Sequence, residues 1–411
     1  MMPKLRIALI ASSRFPIRQP FAGGLEAHVW HLSRTLAERG HEVSVFAARG
    51  SDEAAGCRTL AVRPLQMSKS AQADASMAPE WFMADHHAYL TLMLQLAASG
   101  RGEFDIIHNH SLHYLPVAMA SMLSIPMLTT VHTPPTPWLE SAIDASGGTG
   151  THFAAVSGHT AALWRKSIRR ITVVPNGIDS TRWPLGAGGG PLLWFGRMTA
   201  EKAPHLAISA AQRAGWPLTL AGPISDPQYF DQQVKPSLGR EIRYVGHLDQ
   251  EQLAAVVGRA SAVLVTPMWD EPYGLVVAEA MCCGTPVVAF ARGGVPELIA
   301  PQAGRLVPAG DVARMAGEIP DAVKLSRPEV REHALRGCSS EAMLSAYLHL
   351  YRRLIEHRED THDRLLHPPP GVWSSGAGDE HLPRAAVPGD GAELDGHSRS
   401  APVRRGREAT A

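Results

Sequence analysis

The sequence predicts an α/β protein made of two doubly wound parallel-sheet domains facing a central cleft. Three observations carry that expectation. Short apolar runs alternate with helical stretches, and such alternation implies parallel sheets covered on both faces. The alternation comes in two series, parted by the turn signal Asn176-Gly177 and the glycine-rich stretch 186–190. The unit is clearest at 262–290: an apolar strand (Ala262 to Val265), a polar loop, a helix from Gly274 to about Cys283, and a strand from Pro286 to Phe290.

In the first series, Leu5 to Ala11 reads as a strand. A polar loop follows and ends in Gly23-Gly24. The spacing of Val29, Leu32 and Leu36 predicts a helix over Leu25 to Arg39, stopped by Gly40 before a strand at Val43 to Ala47. The glycines sit at the strand-to-helix turn, as in nucleotide folds. They suit a tight turn as well as a phosphate or acceptor loop, and the dinucleotide fingerprint Gly-x-Gly-x-x-Gly is absent. Residues 51–80 are less regular and rich in Ala, Ser and Arg. A helix is expected from Trp81 to Ser99, then strands at Phe104 to His108, Met127 to Val131, Phe153 to Val156 and Ile171 to Pro175. His108, His110 and His113 invite a metal, but no local Asp, Glu or Cys completes the set. Polar residues at a strand's carboxyl end are the plainer account. His132 ends a strand where such sheets bind ligands, ahead of the rigid loop Thr133 to Pro137. Ser157 is a plausible N-cap for a helix through Arg169. Its cluster Arg165, Lys166, Arg169 and Arg170 reads as a solvated face, or else as a surface for anionic lipid or a charged acceptor.

In the second series, strands are expected at Leu192 to Phe195, Leu218 to Ala221, Ile242 to Val245 and the two already named. Arg197 and Lys202 leave the first of these in one loop, so both can reach the crevice. Arg197 could grip phosphate through its fork, Lys202 as a point charge. A helix starting at Gly274 aims free N–H groups and a partial positive charge at whatever precedes it, which suits a phosphate. Glu271 stands in the loop before it, stiffened by Pro272. Glu279, eight residues after Glu271, suits a vicinal diol rather than a phosphate. Anion-binding amides beside a diol-binding acid fit a nucleoside diphosphate.

Composition narrows the class. Hydrophobic content is 45%, charged content 19% and formal net charge zero, which suits a soluble globular protein and not a nucleic-acid binder. The length of 411 residues suggests two or three domains. The four cysteines have no metal-ligand spacing, and Cys282 and Cys283 read as buried thiols in a reducing cytosol. The N-terminus lacks the apolar core of a signal peptide, and no apolar run approaches the roughly 20 residues that span a bilayer. A cytoplasmic protein is expected, with peripheral contact at the inner membrane face left open. Met343, Ala346, Tyr347, Leu350 and Leu354 mark a helix from Glu341 to about Glu356. Residues 360–411 lose periodicity and read as disordered.

These motifs, in this order, resemble the family-4 retaining glycosyltransferases. Glu271 to Glu279 matches the Glu-x7-Glu signature. Gly23-Gly24, Val174 to Asp179, Gly196-Arg197, Glu201-Lys202 and Gly293 to Glu297 agree with it over residues 4–358. The resemblance implies the GT-B fold: a Rossmann-like acceptor domain (1–178), a Rossmann-like donor domain (179–340), a helix packing back on the first domain (341–358) and a tail (359–411). It implies a nucleotide-sugar donor, with a UDP-sugar preferred and a GDP-sugar as alternative, and an acceptor hydroxyl it does not identify. Arg197, Lys202 and the amides of Gly274 and Leu275 would hold the pyrophosphate, Glu279 the ribose, and Glu271 the donor sugar. His132 would stand beside the transferred sugar, with Gly23 and Gly24 in the loop over the phosphates. The family commonly has Gly where this chain has Ala203. No metal and no resident cofactor is expected, since fixed cations and a helix N-terminus can stabilise the leaving diphosphate. Front-face attack, with the departing phosphate oxygen taking the acceptor's proton, also comes from the resemblance. The alternatives are a nucleotide-sugar epimerase or hydrolase of the same fold, and a non-catalytic nucleotide-sugar-binding protein.

Overall fold

Strand order divides the chain into two all-parallel sheets. A computed structural model describes residues 3–52 and 57–366. The first sheet holds β1 (Arg6–Ile10), β2 (Glu42–Phe46), β3 (Cys57–Leu60), β4 (Ile106–Asn109), β5 (Met127–Val131), β6 (Thr151–Ala155) and β7 (Ile171–Val173), ordered β3-β2-β1-β4-β5-β6-β7. The second holds β8 (Leu192–Phe195), β9 (Leu218–Ala221), β10 (Ile242–Tyr244), β11 (Val263–Val265), β12 (Val287–Phe290) and β13 (Gly304–Val307), ordered β10-β9-β8-β11-β12-β13. Central strands are apolar on both faces because helices cover both: Ile7 to Ile10 are fully buried, and Ile7 pairs with Val43 on one side and Ile106 on the other.

The order of each sheet fixes where a ligand can sit. The direction in which successive strands are added reverses between β1 and β4 in the first sheet and between β8 and β11 in the second. Crevices open at the carboxyl ends of the strands at such switch points. The loops leaving β1, β8 and β11 are those that carry Gly23-Gly24, Arg197 with Lys202, and Glu271.

Helices attach by the faces their sequences show. Val29, Leu32 and Leu36 of the helix Gly24–Glu38 are buried against Ile7, Leu9 and Val43. The last helix, Ser340–Leu366, returns to the first sheet and buries Met343, Leu344, Tyr347 and Tyr351 in that same core. Tyr351 also bonds His108, with its hydroxyl 2.6 Å from Nδ1. Truncating a residue such as Leu36 or Tyr347 in this core would cost about 2–5 kcal/mol.

Several expectations need correction. The helix after Ser157 spans only Gly158–Trp164, though Ser157 does cap it by accepting from the Thr160 amide. The chain turns there so that Ile168 enters the core under β5 and β6, and Arg165, Lys166, Arg169 and Arg170 lie exposed beyond the helix. Within the less regular stretch 51–80, Cys57–Leu60 forms β3, an edge strand with Arg58 and Thr59 exposed that the sequence did not announce. An edge strand is covered less, so it shows no continuous apolar run. The same holds for β13 at the opposite edge of the second sheet, which the sequence did not announce. The final helix continues past residue 358 to Leu366; the remainder of the expected tail lies outside the described residues.

Candidate functional site

Between the two sheets lies a cavity of about 1190 Å³ lined by both halves of the chain. Gly23, Gly24, His132, Arg197, Lys202, Glu271, Gly274, Leu275 and Glu279 all border it. Contacts between the halves frame it. Glu297 accepts from the amides of Gly158 (2.9 Å) and His159 (2.6 Å), so an acid of the second half caps a helix of the first. Ser157 and Thr160 donate their hydroxyls to the Pro272 carbonyl at 2.6 and 3.0 Å. On another side, His247 Nε2 reaches the Phe21 carbonyl at 3.0 Å.

The second-half wall is built around the helix Leu275–Cys282. Its N-cap, Gly274, has φ 101°, a left-handed conformation that costs a side chain strain. A Cβ on Gly24 would stand 2.8 Å from a Leu275 methyl, so the glycine lets the first half approach this helix start closely. Glu271 is fixed from both sides: Gly294 donates its amide to the Glu271 carbonyl at 2.7 Å, and the carboxylate receives Lys202 Nζ at 2.5 Å and Trp269 Nε1 at 2.9 Å. The Lys202 ammonium also stands 5.0 Å over the Trp269 ring. The loop bearing Lys202 is pinned by Thr266, whose hydroxyl donates to the carbonyls of Lys202 (3.0 Å) and Ala203 (2.9 Å). Ala203 sits at φ 49°, so the backbone keeps the left-handed turn that a glycine would take freely. Arg197 is partly exposed and pairs with Glu201 at 3.3 Å. A diphosphate entering here would meet two cations now held by carboxylates, together with the helix's leading amides.

Glu279 lies under this wall and lines the cavity. Burial pushes its carboxyl up to about 8. In the ligand-free protein burial therefore favours the protonated form of this acid near neutral pH. A neutral acid can give one hydrogen bond and accept another, which still suits a diol.

The first-half wall is built from β1, β4, β5 and the helix Gly24–Glu38. Glu26 folds back toward Gly23, and a Cβ there would lie 3.2 Å from its carboxylate oxygen. Burial raises the Glu26 carboxyl, while its own backbone hydrogen bond and Arg197 across the cavity lower it. His132 Nε2 lies 2.9 Å from His110 Nδ1. Burial, reinforced by the surrounding histidines, holds both imidazoles well below their usual range, hence neutral. The trio His108, His110 and His113 does not converge. His108 is bonded to Tyr351 and Thr130, and His113 stacks between Tyr89 and Tyr114. The convergent set is His28, His110 and His132, whose ring nitrogens lie within 4.8 Å of one another. These three could together ligate a divalent metal, although His110 Nδ1 already shares a hydrogen bond with His132.

With the geometry in place, comparison with known proteins fixes the family. Residues 22–182 match the model for Glycosyltransferase Family 4, and residues 187–335 the model for Glycosyl transferases group 1. A glycogen synthase of Mycobacterium tuberculosis is 32% identical over 359 residues, covering 77% of this chain and 85% of that protein. The chain belongs to the family-4 glycosyltransferases. A D-inositol 3-phosphate glycosyltransferase of Frankia alni is 29% identical over 360 residues, covering 73% of this chain and 86% of the relative. The GT-B fold recurs in sucrose-phosphate synthase from Thermosynechococcus elongatus, with TM-score 0.71 at 22% identity over 85% of this chain and 99% of that one. It recurs in Anabaena HepE in complex with UDP and glucose, with TM-score 0.65 at 17% identity over 84% and 99%. In this family-4 glycosyltransferase the structure also brings to or near the cavity residues the sequence did not single out. Glu26 follows Gly24 by only two positions, and Trp269 precedes Glu271 by two, so proximity to a motif was the available signal for both. His28 gave one too, as a polar residue on the buried side of an amphipathic helix. The capping role of Glu297 could not be foreseen, because its partner lies in the other half of the chain.

Proposed function

We propose that this glycosyltransferase moves a hexose from a nucleotide diphosphate sugar to an acceptor hydroxyl with retention of configuration and without a metal. The observation that carries this is that Arg197, Lys202, Gly274, Leu275 and Glu279 all border the same cavity. Two cations and a helix N-terminus aimed at a diphosphate stabilise the charge that develops as it leaves, which is the role a metal would otherwise fill. The bond from the sugar's anomeric carbon to the phosphate breaks with its electron pair on the phosphate. The acceptor oxygen bonds that carbon on the same face, and its proton passes to the departing phosphate oxygen. Lys202 and Trp269 tie up the Glu271 carboxylate, which suits a group that holds the donor sugar better than a free nucleophile. His132, neutral and beside the cavity, orients hydroxyls at the transfer point. Glu279 takes the ribose.

UDP-sugars are the first donors to try, because Anabaena HepE, of the same fold, is seen with UDP and with UDP-glucose. No helix among the described residues is long and apolar enough to cross a membrane. We place the reaction in the cytoplasm, with the exposed Arg165, Lys166, Arg169 and Arg170 as the patch a vesicle would touch. The test is a panel of UDP-, GDP- and ADP-sugars with purified enzyme, with and without EDTA. Donor binding, EDTA-resistant transfer and a retained anomeric configuration are expected. Absence of binding at millimolar donor, or loss of transfer in EDTA restored by a divalent ion, would overturn the corresponding part. In the second case the three converging histidines are the first place to look.

A further inference from the structure

The first-half wall carries a feature that donor chemistry does not use. Trp81 and Trp138 are 57% and 60% exposed, yet both line the cavity, together with Phe15, Phe82 and Tyr114. The rings of Trp81, Phe82, Trp138 and Tyr114 form a connected band. Phe82 stands between the two indoles, with ring centroids 5.9 Å from Trp81 and 5.6 Å from Trp138. Trp138 in turn stacks on Tyr114 at 5.6 Å. The band draws on the helices Glu80–Glu103 and Pro137–Ser146 and on the loop after β4, so it lines the mouth of the first sheet's switch point. Large apolar side chains left open along a concave site mark a ligand surface.

Polar groups are set into the band. The Arg14 guanidinium lies 4.2 Å over the Trp81 ring and is paired with Asp85. Asp85 also accepts from the Ser13 hydroxyl at 2.7 Å. Two buried polar atoms of cavity-lining residues, His113 Nε2 and Thr133 Oγ1, have no hydrogen-bond partner among the described residues. Thr133 directly follows His132, so the band runs up to the transfer point.

We infer that the acceptor is a saccharide, whose pyranose rings stack on Trp138 and Trp81 while its hydroxyls pair with His113, Thr133 and the Arg14–Asp85 couple. A pyranose has one face of C–H groups and a rim of hydroxyls. The C–H face complements the negative face of an aromatic ring. The rim satisfies polar atoms that would otherwise stay unpaired at a cost. An alkyl chain would cover the rings and leave those atoms orphaned. The band continues past a single indole, so an oligosaccharide gains more from it than a monosaccharide. The inference rests on the transfer reading above and adds the acceptor's class to it.

The experiment uses the full-length protein loaded with UDP. Tryptophan fluorescence and ligand-observed NMR are recorded with glucose, with glucans and mannans of increasing length, and with anionic phospholipid vesicles. Affinity is expected to rise with saccharide length, with ring protons shifted upfield by the indoles. Trp138→Ala and Trp81→Ala should each weaken oligosaccharide binding about tenfold, while UDP affinity stays as in the wild type. Trp138→Phe and Trp81→Phe should retain most of it and keep the test valid if an alanine variant misfolds. If UDP binds but no saccharide does, or the alanine variants bind saccharides like the wild type, the inference fails. Vesicle binding that the alanine variants lose, with saccharide affinity intact, overturns it and assigns the band to a membrane. Failure to bind any nucleotide or nucleotide sugar would instead sink the donor reading, which separates the two.

Discussion

The two walls of the cleft are built differently. On the second-half wall, each group is set by a short loop or helix start directly after a strand: Arg197 and Lys202 after β8, Glu271 and Gly274 after β11, Glu279 one helix segment on. On the first-half wall, one surface is assembled from distant pieces. Phe15, Trp81, Tyr114, His132 and Trp138 come from separate loops and helices. On the proposed function, the difference follows from what each wall would grip. A diphosphate calls for fixed charge and aligned amides, which a single strand–loop–helix unit can supply. An acceptor calls for shape, which several segments can supply in many ways.

The sharpest way to break this contrast is to remove a fixed charge. Lys202→Ala should lower kcat/KM by about a hundredfold or more, as expected for a preorganised charge lost from a transition state. It also leaves Glu271, only 14% exposed at its side chain, without its cation. Steady-state kinetics with the best donor decides the matter, and a change within a few-fold would mean that the second-half wall does not hold the leaving group.

This contrast also explains what could be read from the sequence. The central strands were legible because each is a short apolar run buried on both faces, and the cavity-lining Arg197, Lys202, Glu271 and Gly274 because they sit at fixed offsets from those strands. Strands β3 (Cys57-Arg-Thr-Leu60) and β13 (Gly304-Arg-Leu-Val307) escaped because neither is a continuous apolar run. The helix after Ser157 looked longer than it is, since the need to bury Ile168 in the core overrode local pattern. The charge state of Glu279, the histidine set centred on His28 and the cap given by Glu297 depend on three-dimensional burial or on partners far along the chain. No local pattern records those.

His132 is the test on the first-half side. His132→Ala should reduce kcat roughly tenfold to a hundredfold while donor Kd moves less than about twofold, since general positioning and proton-handling groups contribute on this scale. Burial holds the wild-type imidazole neutral, so kcat should show no titration from this group between about pH 5 and 8. A rate that falls as pH rises through the ordinary histidine range would show that the charged form acts, and the neutral reading would be lost.

Glu279 sharpens the second-half side. Glu279→Ala should weaken donor binding roughly tenfold, the scale of two lost hydrogen bonds. If the acid is neutral near pH 7, Glu279→Gln keeps one donor and one acceptor and should bind much better than the alanine variant. Calorimetric titration at pH 7 compares them, and equal losses would mean the ionised form is the one that binds. Stability offers a second reading. The folded acid holds its proton up to about 8, whereas the unfolded one releases it near 4.3. Between those values the folded state binds more protons, so this group makes stability fall as pH rises. Glu279→Gln should flatten that slope in urea melts run across the same range.

The smallest effect is expected at Ala203, where the second-half wall departs from free choice of backbone. Its left-handed conformation costs an alanine roughly 1–2 kcal/mol that glycine avoids, partly offset by glycine's greater freedom when unfolded. Ala203→Gly should therefore raise stability by about 0.5–1 kcal/mol, visible as a small increase in Tm. Donor affinity should not change, because Thr266 holds the carbonyls on both sides of the turn and so fixes where Lys202 points. A gain in stability with unchanged affinity means the wall's geometry is set by its hydrogen bonds. Affinity that moves with the substitution would mean the strained residue itself aims the lysine, and the second-half wall would then be less rigid than the contrast requires.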